Sequence, residues 1–394
     1  NTSGTMYPAS WAVIDDHLLY TDGTGYPRIF SGETEYVSNF IVYVGAAAIP
    51  DVPKMGNDYS IQVADGDSTT CAVLDSLGTL AQYDCVFIRT ETPADTFTFT
   101  IGKANGSAAV AQMHYWNGAW TEVTALSDGT AVTGASLAQS GSMTWTMTTD
   151  HLPKYMFGAN GYWYRLSLAS GALDSEVEVT EVTYNSDWME VQSLWDGVPV
   201  SSIEAYVYIN SSATYQYYSS DVIEIGGLTS SDKFYFNSVD PIVGFYVSVG
   251  EVPNETAATT IGVKYWNGSA FATVSVNDST IVDSKSFASD GWVTFAHPSD
   301  EQPTMFQSSD QFTYWYEVSF NQTLTADMVV SIETMPYFKM EDWGKCYALS
   351  SFKQRAAYSF DKAPGYIMIS SSHNPMVING DDSALQDVGD GRAN

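Results

Sequence analysis

Positive charge is scarce in this chain: 15 Lys and Arg stand against 46 Asp and Glu in 394 residues, a formal net charge of −31. A field this negative repels phosphate backbones and anionic lipid, which argues against nucleic-acid binding and against membrane binding through basic patches. Charge of either sign is sparse as well. At 15% of the chain it falls well below the roughly 25% usual in globular proteins, so Ser, Thr, Asn, Gln and Tyr must supply much of the surface. Such a surface suits an extracellular or virion protein better than a cytosolic enzyme.

Other absences narrow the field further. No uncharged apolar run reaches about 18 residues, so no transmembrane helix and no membrane insertion are expected. The sequence opens Asn1-Thr2-Ser3 with no charged-then-apolar leader, so no signal peptide is visible in it, whether trimmed or never present. Cys71, Cys85 and Cys346 make an odd count without a CxxC pair, which argues against a zinc ribbon or a thioredoxin-type motif. A Cys71–Cys85 disulfide stays open at this point, although three free thiols are expected. His17, His114, His151, His297 and His373 show no HxH or HExxH spacing. GxSxG, Walker-type and strand-linked GxGxxG motifs are missing, and Asp15-Asp16-His17 has neither a nucleophile nor an oxyanion motif beside it and reads as a turn edge. No enzymatic activity is therefore expected.

What is abundant is aromatic: 26 Tyr, 18 Phe and 11 Trp within 44% hydrophobic residues. That is ample core for an ordered chain, and the length predicts two or three domains. A repeat defines them. Tyr115-Trp116-Asn117-Gly118 recurs as Tyr265-Trp266-Asn267-Gly268, and the flanks recur with it. Phe97 to Gly102 matches Phe245 to Gly250, Met143-Thr144-Trp145 matches Val293-Thr294-Phe295, and Tyr162 to Ser167 matches Tyr314 to Ser319. The block ending at Tyr184 matches the one ending at Tyr337. The offset grows in one direction along the chain, as small loop insertions require.

Each block alternates apolar and polar residues between Asn-Gly, Asp-Gly, Ser-Gly or Ser-Asp turns, the pattern of half-buried antiparallel strands. Helical periodicity is almost absent. The expected fold is all-β: two tandem jelly-roll-like β-sandwiches plus a C-terminal β segment. Asn117-Gly118 and Asn267-Gly268 predict type I′ hairpins with positive φ at both central residues. The divisions fall at 1–40 for an N-terminal segment, 41–185 and 186–337 for the two copies, and 338–394 for the C-terminal segment. This last segment carries six basic and seven acidic residues, so nearly all of the negative charge lies ahead of it.

Three kinds of candidate site emerge. Asp65, Asp67, Asp381 and Asp382, with Asp387 and Asp390, lie in Asp/Gly turns whose hard oxygens suit Ca²⁺, although Asp and Gly are also ordinary turn residues. Trp116 and Trp266 stand beside hairpin turns, where Trp stacks on sugars or packs into a rim. Trp163 and Trp315 lie mid-strand and read as core. Sequons begin at Asn1, Asn105, Asn210, Asn254, Asn267, Asn277 and Asn321 and matter if the source glycosylates.

The run Lys264-Tyr265-Trp266-Asn267-Gly268-Ser269-Ala270-Phe271, its turn, the Met/Val-Thr-Trp/Phe strand and YWYxxS together resemble a β-sandwich module of tailed-bacteriophage structural proteins, often found in tandem. The tail, from Ser350-Ser351-Phe352-Lys353-Gln354-Arg355 through Ala363-Pro364-Gly365-Tyr366 to Asp387-Val388-Gly389-Asp390-Gly391, resembles a β-propeller blade of phage tail and nozzle proteins. The resemblance implies a virion structural role in tail, neck or baseplate, with self-association and other virion proteins as partners and no catalytic residues. An extracellular carbohydrate-binding adhesin that meets host-surface glycans, or a cell-surface filament or surface-layer subunit, is the alternative.

Overall fold

The computed structural model describes residues 9–15, 17–31, 35–45, 56–146, 150–186, 189–191, 195–201, 204–219, 222–337, 343–378 and 383–388. About half of the chain is strand, and among the described residues helix is confined to 3₁₀ geometry, at Leu80–Gln82 and at Trp343. The fold is all-β, as expected. Two compact units divide the chain: Asn1–Leu194 with Met340–Ile378 and Asp382–Asn394, and Trp195–Lys339 with Asn379–Asp381.

Each unit contains one sandwich, and the two sandwiches share a topology. In the second, one sheet runs Thr214–Tyr218, Ala205–Ile209, Lys233–Ser238, Tyr314–Phe320, Ile261–Trp266, Phe271–Val274. The facing sheet runs Val200–Ser201, Val329–Pro336, Ile242–Val249, Gly291–Phe295, Val276–Asp278. In the first sandwich the matching orders are Asn57–Asp58, Asn39–Tyr43, Cys85–Thr90, Ala159–Gly171, Ala109–Trp116, Trp120–Glu122, and Glu35–Tyr36, Glu178–Asn185, Thr96–Lys103, Gly141–Thr144, Ser127–Asp128. Many successive strands switch sheets, as in jelly-roll-like sandwiches.

Alternation explains one sheet of each pair. Gly291–Phe295 reads buried, half-buried, buried along its length, so a single face meets the core. Phe97 packs edge-on against Tyr164 at 5.0 Å, and Phe236 stacks on Tyr316 at 5.3 Å. Both tyrosines are fully buried with bonded hydroxyls: Tyr164 accepts from Ala94 N–H and donates to its carbonyl at 3.0 Å, while Tyr316 accepts from Ile242 N–H at 3.0 Å and bonds the Glu301 carboxylate. The other sheet breaks the alternation. Lys233–Ser238 and Tyr314–Phe320 are buried on both faces, so something covers their outer side.

The hairpin turns differ from the type I′ expectation. Trp116 pairs with Trp120 and Trp266 with Phe271, leaving loops of three and four residues, and in each loop only the glycine is left-handed, with φ 102° at Gly118 and 91° at Gly268. Asn serves instead through its side chain. Asn267 Oδ1 accepts from Ser269 and Ala270 N–H at 3.0 and 2.9 Å, an Asx-type turn that does not require positive φ at the Asn.

In the first unit a segment before the first sandwich meets one that follows the second repeat in sequence. Ser10–Ile14, His17–Thr21 and Arg28–Ser31 form a meander joined by Met189–Glu190, and Cys346–Phe352, Arg355–Phe360, Tyr366–Ile369 and Ala384–Asp387 form a second four-stranded sheet. Cys346 N–H donates to Gly25 O at 3.0 Å, Thr21 Oγ1 donates to Cys346 O, and His373 Nδ1 lies 3.1 Å from Asp15. The N-terminal and C-terminal segments thus form one body across more than three hundred residues of intervening chain.

Candidate functional site on the outer sandwich faces

The doubly buried sheets carry an aromatic layer outside the main core. In the second sandwich, cross-strand pairing lines up Tyr217, Tyr206, Tyr235, Glu317 and Lys264 in one row. Tyr206, Tyr235 and Trp315 are buried, with Tyr208, Phe271 and Phe306 partly covering them. Phe306 reaches them from the loop Thr304 to Thr313, which is closed by hydrogen bonds of 2.8 and 3.2 Å between those two threonines. Its ring lies 5.0 Å from Trp315 and 4.7 Å from Tyr235. In the first sandwich the same layer is Ile41, Cys85, Phe87, Met156 and Trp163, covered by Tyr43, Trp120 and Phe157. Trp163 and Trp315 are therefore fully buried, as core residues would be, but in this outer layer.

The two layers differ in charge. Glu317 is nearly inaccessible and receives Lys264 Nζ at 2.8 Å, Lys233 Nζ at 3.0 Å and the Tyr235 hydroxyl at 3.0 Å. Burial works against its charge, yet the bonds from Lys264 and Lys233 outweigh burial and hold the carboxyl below its ordinary range. The first sandwich has Arg165 at this position in the YWYxxS strand, and its guanidinium lies 4.9 Å from the Trp120 ring centre. Next to it His114 is buried and held neutral, its pKa lowered to about 4 by burial and by Arg165. The fold therefore accepts opposite charges at one position.

The sequence-predicted sites fall as follows. Trp116 is buried, and Lys154 Nζ lies over its ring. Trp266 is half-buried and packs edge-on against Phe271 at 5.4 Å. Asp65 and Asp67 are exposed and engaged in turn bonds: Asp65 accepts from Asp67 N–H and Thr70 Oγ1 at 2.8 Å each, and Asp67 accepts from Thr69 N–H and Oγ1 at 2.9 and 2.7 Å. Asp381, Asp382 and Asp390 lie outside the described residues, and Asp387 ends the strand Ala384–Asp387. Among the described residues no group of three or more His, Cys, Asp or Glu is placed to hold a metal ion. Asp15 pairs with His373, and His17 lies 3.9 Å from Glu35. The three cysteines are free; burial raises the thiols of Cys85 and Cys346, the latter to about 11, which keeps both unreactive.

Sequence reading missed a lock that both copies build. Asp128 accepts from Thr130 N–H at 2.9 Å and Asp278 from Thr280 N–H at 2.9 Å, while the buried threonine hydroxyls accept from Leu137 and Phe287 N–H at 2.9 and 2.7 Å. Leu137 and Phe287 are both left-handed, at φ 57° and 59°. Asn105 and Asn254 clamp the same loops, each donating Nδ2 to the carbonyl of Ser136 or Ser286 at 2.9 Å. The signal was present as Asp-x-Thr followed by Ser-Leu-Ala or Ser-Phe-Ala, whose central residue lies seven after the threonine.

Comparison with known proteins finds no matching family and no similar characterised protein.

Proposed function

We propose that this chain is a non-enzymatic structural protein of a phage-like particle, in its tail, neck or baseplate region, acting by assembly with copies of itself and with other virion proteins. The observation that carries this reading is the covered outer layer around Trp163 and Trp315, built twice on one topology. A sheet buried on both faces gains rigidity for load-bearing and leaves little open groove. The bonds between Thr21 and Gly25 on one side and Cys346 on the other add support, because they close the first unit with segments far apart in sequence. The resemblance of the repeat and of the tail to phage modules points the same way, and the acidic exterior keeps such particles soluble and free of nucleic acid. Electron microscopy of particles from the source tests it: a ring or spike of this chain at the tail or neck is expected, and a filament or surface lattice on cells would replace the reading.

A second reading, a glycan-binding adhesin, is favoured by one observation. Trp266 keeps partial exposure where Trp116 is closed. A glycan array decides it: specific binding lost in a folded Trp266→Ala variant would establish a ligand surface beside or instead of the structural role.

A further inference from the structure

Among the described residues the free sheet edges of the two sandwiches, including the two- and three-residue strands Ala72–Val73 and Val222–Glu224, are short or charged, with one marked exception. Asn57–Asp58, Trp120–Glu122, Ser127–Asp128, Glu35–Tyr36 and Val276–Asp278 are at most three residues long and each carries a carboxylate, while Val200–Ser201 has two residues. Short strands and charges are the usual means of preventing edge-to-edge pairing. Phe271–Val274 is uncharged but turns only Thr273 fully to solvent. Thr214–Tyr218 is the exception: five residues, no charge, no proline, and four of its five side chains exposed. Its register with Ala205–Ile209 runs without a bulge. Among the described residues its other edge pairs with no strand. In the first sandwich this position belongs to Asn57–Asp58, so the topology does not require a long bare edge there.

We infer that Thr214–Tyr218 is a self-association site that pairs antiparallel, across a two-fold axis, with the same strand of a second copy. This rests on the assembly reading and names its partner. The occupant follows from the sequence Thr-Tyr-Gln-Tyr-Tyr, which is nearly palindromic about Gln216. A two-fold contact must be self-complementary, with residue i opposite j and j opposite i. Centring it on Gln216 sets Tyr215 opposite Tyr217 of the partner subunit, and sets the two Gln216 amides, each donor and acceptor, opposite one another. Inside the chain the same face already pairs Tyr208 with Tyr215 at 4.8 Å and Tyr206 with Tyr217 at 5.2 Å between ring centres. Pairing with a second copy continues this tyrosine ladder across the axis, and cross-strand aromatic pairs stabilise sheets. The contact brings no charge of the strand itself into apposition, although the net charge of −31 on each copy opposes approach at long range.

Sedimentation velocity on the full chain tests the inference. A monomer–dimer equilibrium that shifts to dimer with concentration and with added salt is expected, and Gln216→Lys, which sets like charges opposite each other at an exposed position, should weaken it at least tenfold with an unchanged thermal melt. Gln216→Cys should form a disulfide-linked dimer under mild oxidation, because directly opposed residues lie within disulfide reach. Wild type and a hairpin-tip Ser211→Cys variant should cross-link much less. A monomer at every concentration and salt, a dimer indifferent to Gln216→Lys, or equal cross-linking of Ser211→Cys would overturn it. Those results leave the assembly reading intact, since that reading fails only if imaging finds the chain outside particles.

Discussion

Lys154 Nζ sits 3.5 Å from the centre of the Trp116 ring, with both residues buried. In the second copy the offset that carries Trp116 to Trp266 carries Lys154 to Thr304, and Trp266 keeps partial exposure. One cation thus separates a closed indole from a more open one within a single repeated design.

Replacing that cation tests how much it contributes. Lys154→Met keeps an unbranched apolar stem on the ring and removes the ammonium, so the loss expected is that of a desolvated cation–π contact, about 1–2 kcal/mol. Trp116→Ala should cost more, about 3–5 kcal/mol, because it also empties packed volume. Urea denaturation of both variants measures the difference. Equal stability of Lys154→Met and wild type would show that the contact contributes nothing beyond packing.

The duplication was readable because strand residues recur with their spacing: Tyr162 to Ser167 and Tyr314 to Ser319 fill the same place in matching sheets. Partnerships set by distant segments were not readable. Nothing local to Cys346 announces that its backbone meets Thr21 and Gly25. The aromatic surplus reads in the sequence as core, but part of it forms the separate outer layer, because Phe157 and Phe306 arrive from loops outside any alternating pattern. At Asn117 and Asn267 the Asn-Gly signal located the turn correctly and missed its geometry, since a side-chain carbonyl replaced a positive φ. The same competition between side chain and backbone hid Asn105 and Asn254 among ordinary sequons.

Those two asparagines give a prediction about modification. Asn105 and Asn254 are 3% and 0% exposed, and their side chains bond the Ser136 and Ser286 carbonyls while accepting N–H bonds from Ser107 and Thr256. A glycan on Nδ2 would need that donor and the space around it. Expressed in a glycosylating host, the folded chain should carry no glycan at either position, as read by peptide mass spectrometry. Asn254→Ala should cost about 1–3 kcal/mol, because the Ser286 carbonyl loses its partner in a buried site. Substantial occupancy at Asn254 in folded protein would contradict the lock.

Acid should weaken the first sandwich before its carboxylates titrate. Burial lowers the pKa of His151 to about 3, against a weaker opposite pull from Asp150, and burial with Arg165 lowers that of His114 to about 4. Unfolded, both histidines titrate near 6.5, so below that pH the unfolded chain binds protons that the folded chain refuses. Stability is therefore full above about pH 6.5, begins to fall there, and continues falling toward the folded values. The limiting slope is about 1.4 kcal/mol per pH unit for each histidine. Between about pH 6.5 and 5 the paired carboxylates stay ionised, so this window isolates the histidines. Urea midpoints measured across it should drop as pH falls. His114→Gln should remove one proton from the linkage and flatten the slope by up to half. A midpoint flat across the window in the wild-type chain would mean that these rings take up protons while folded, which their packing against Tyr115, Tyr162 and Tyr164 around His151 is built to prevent.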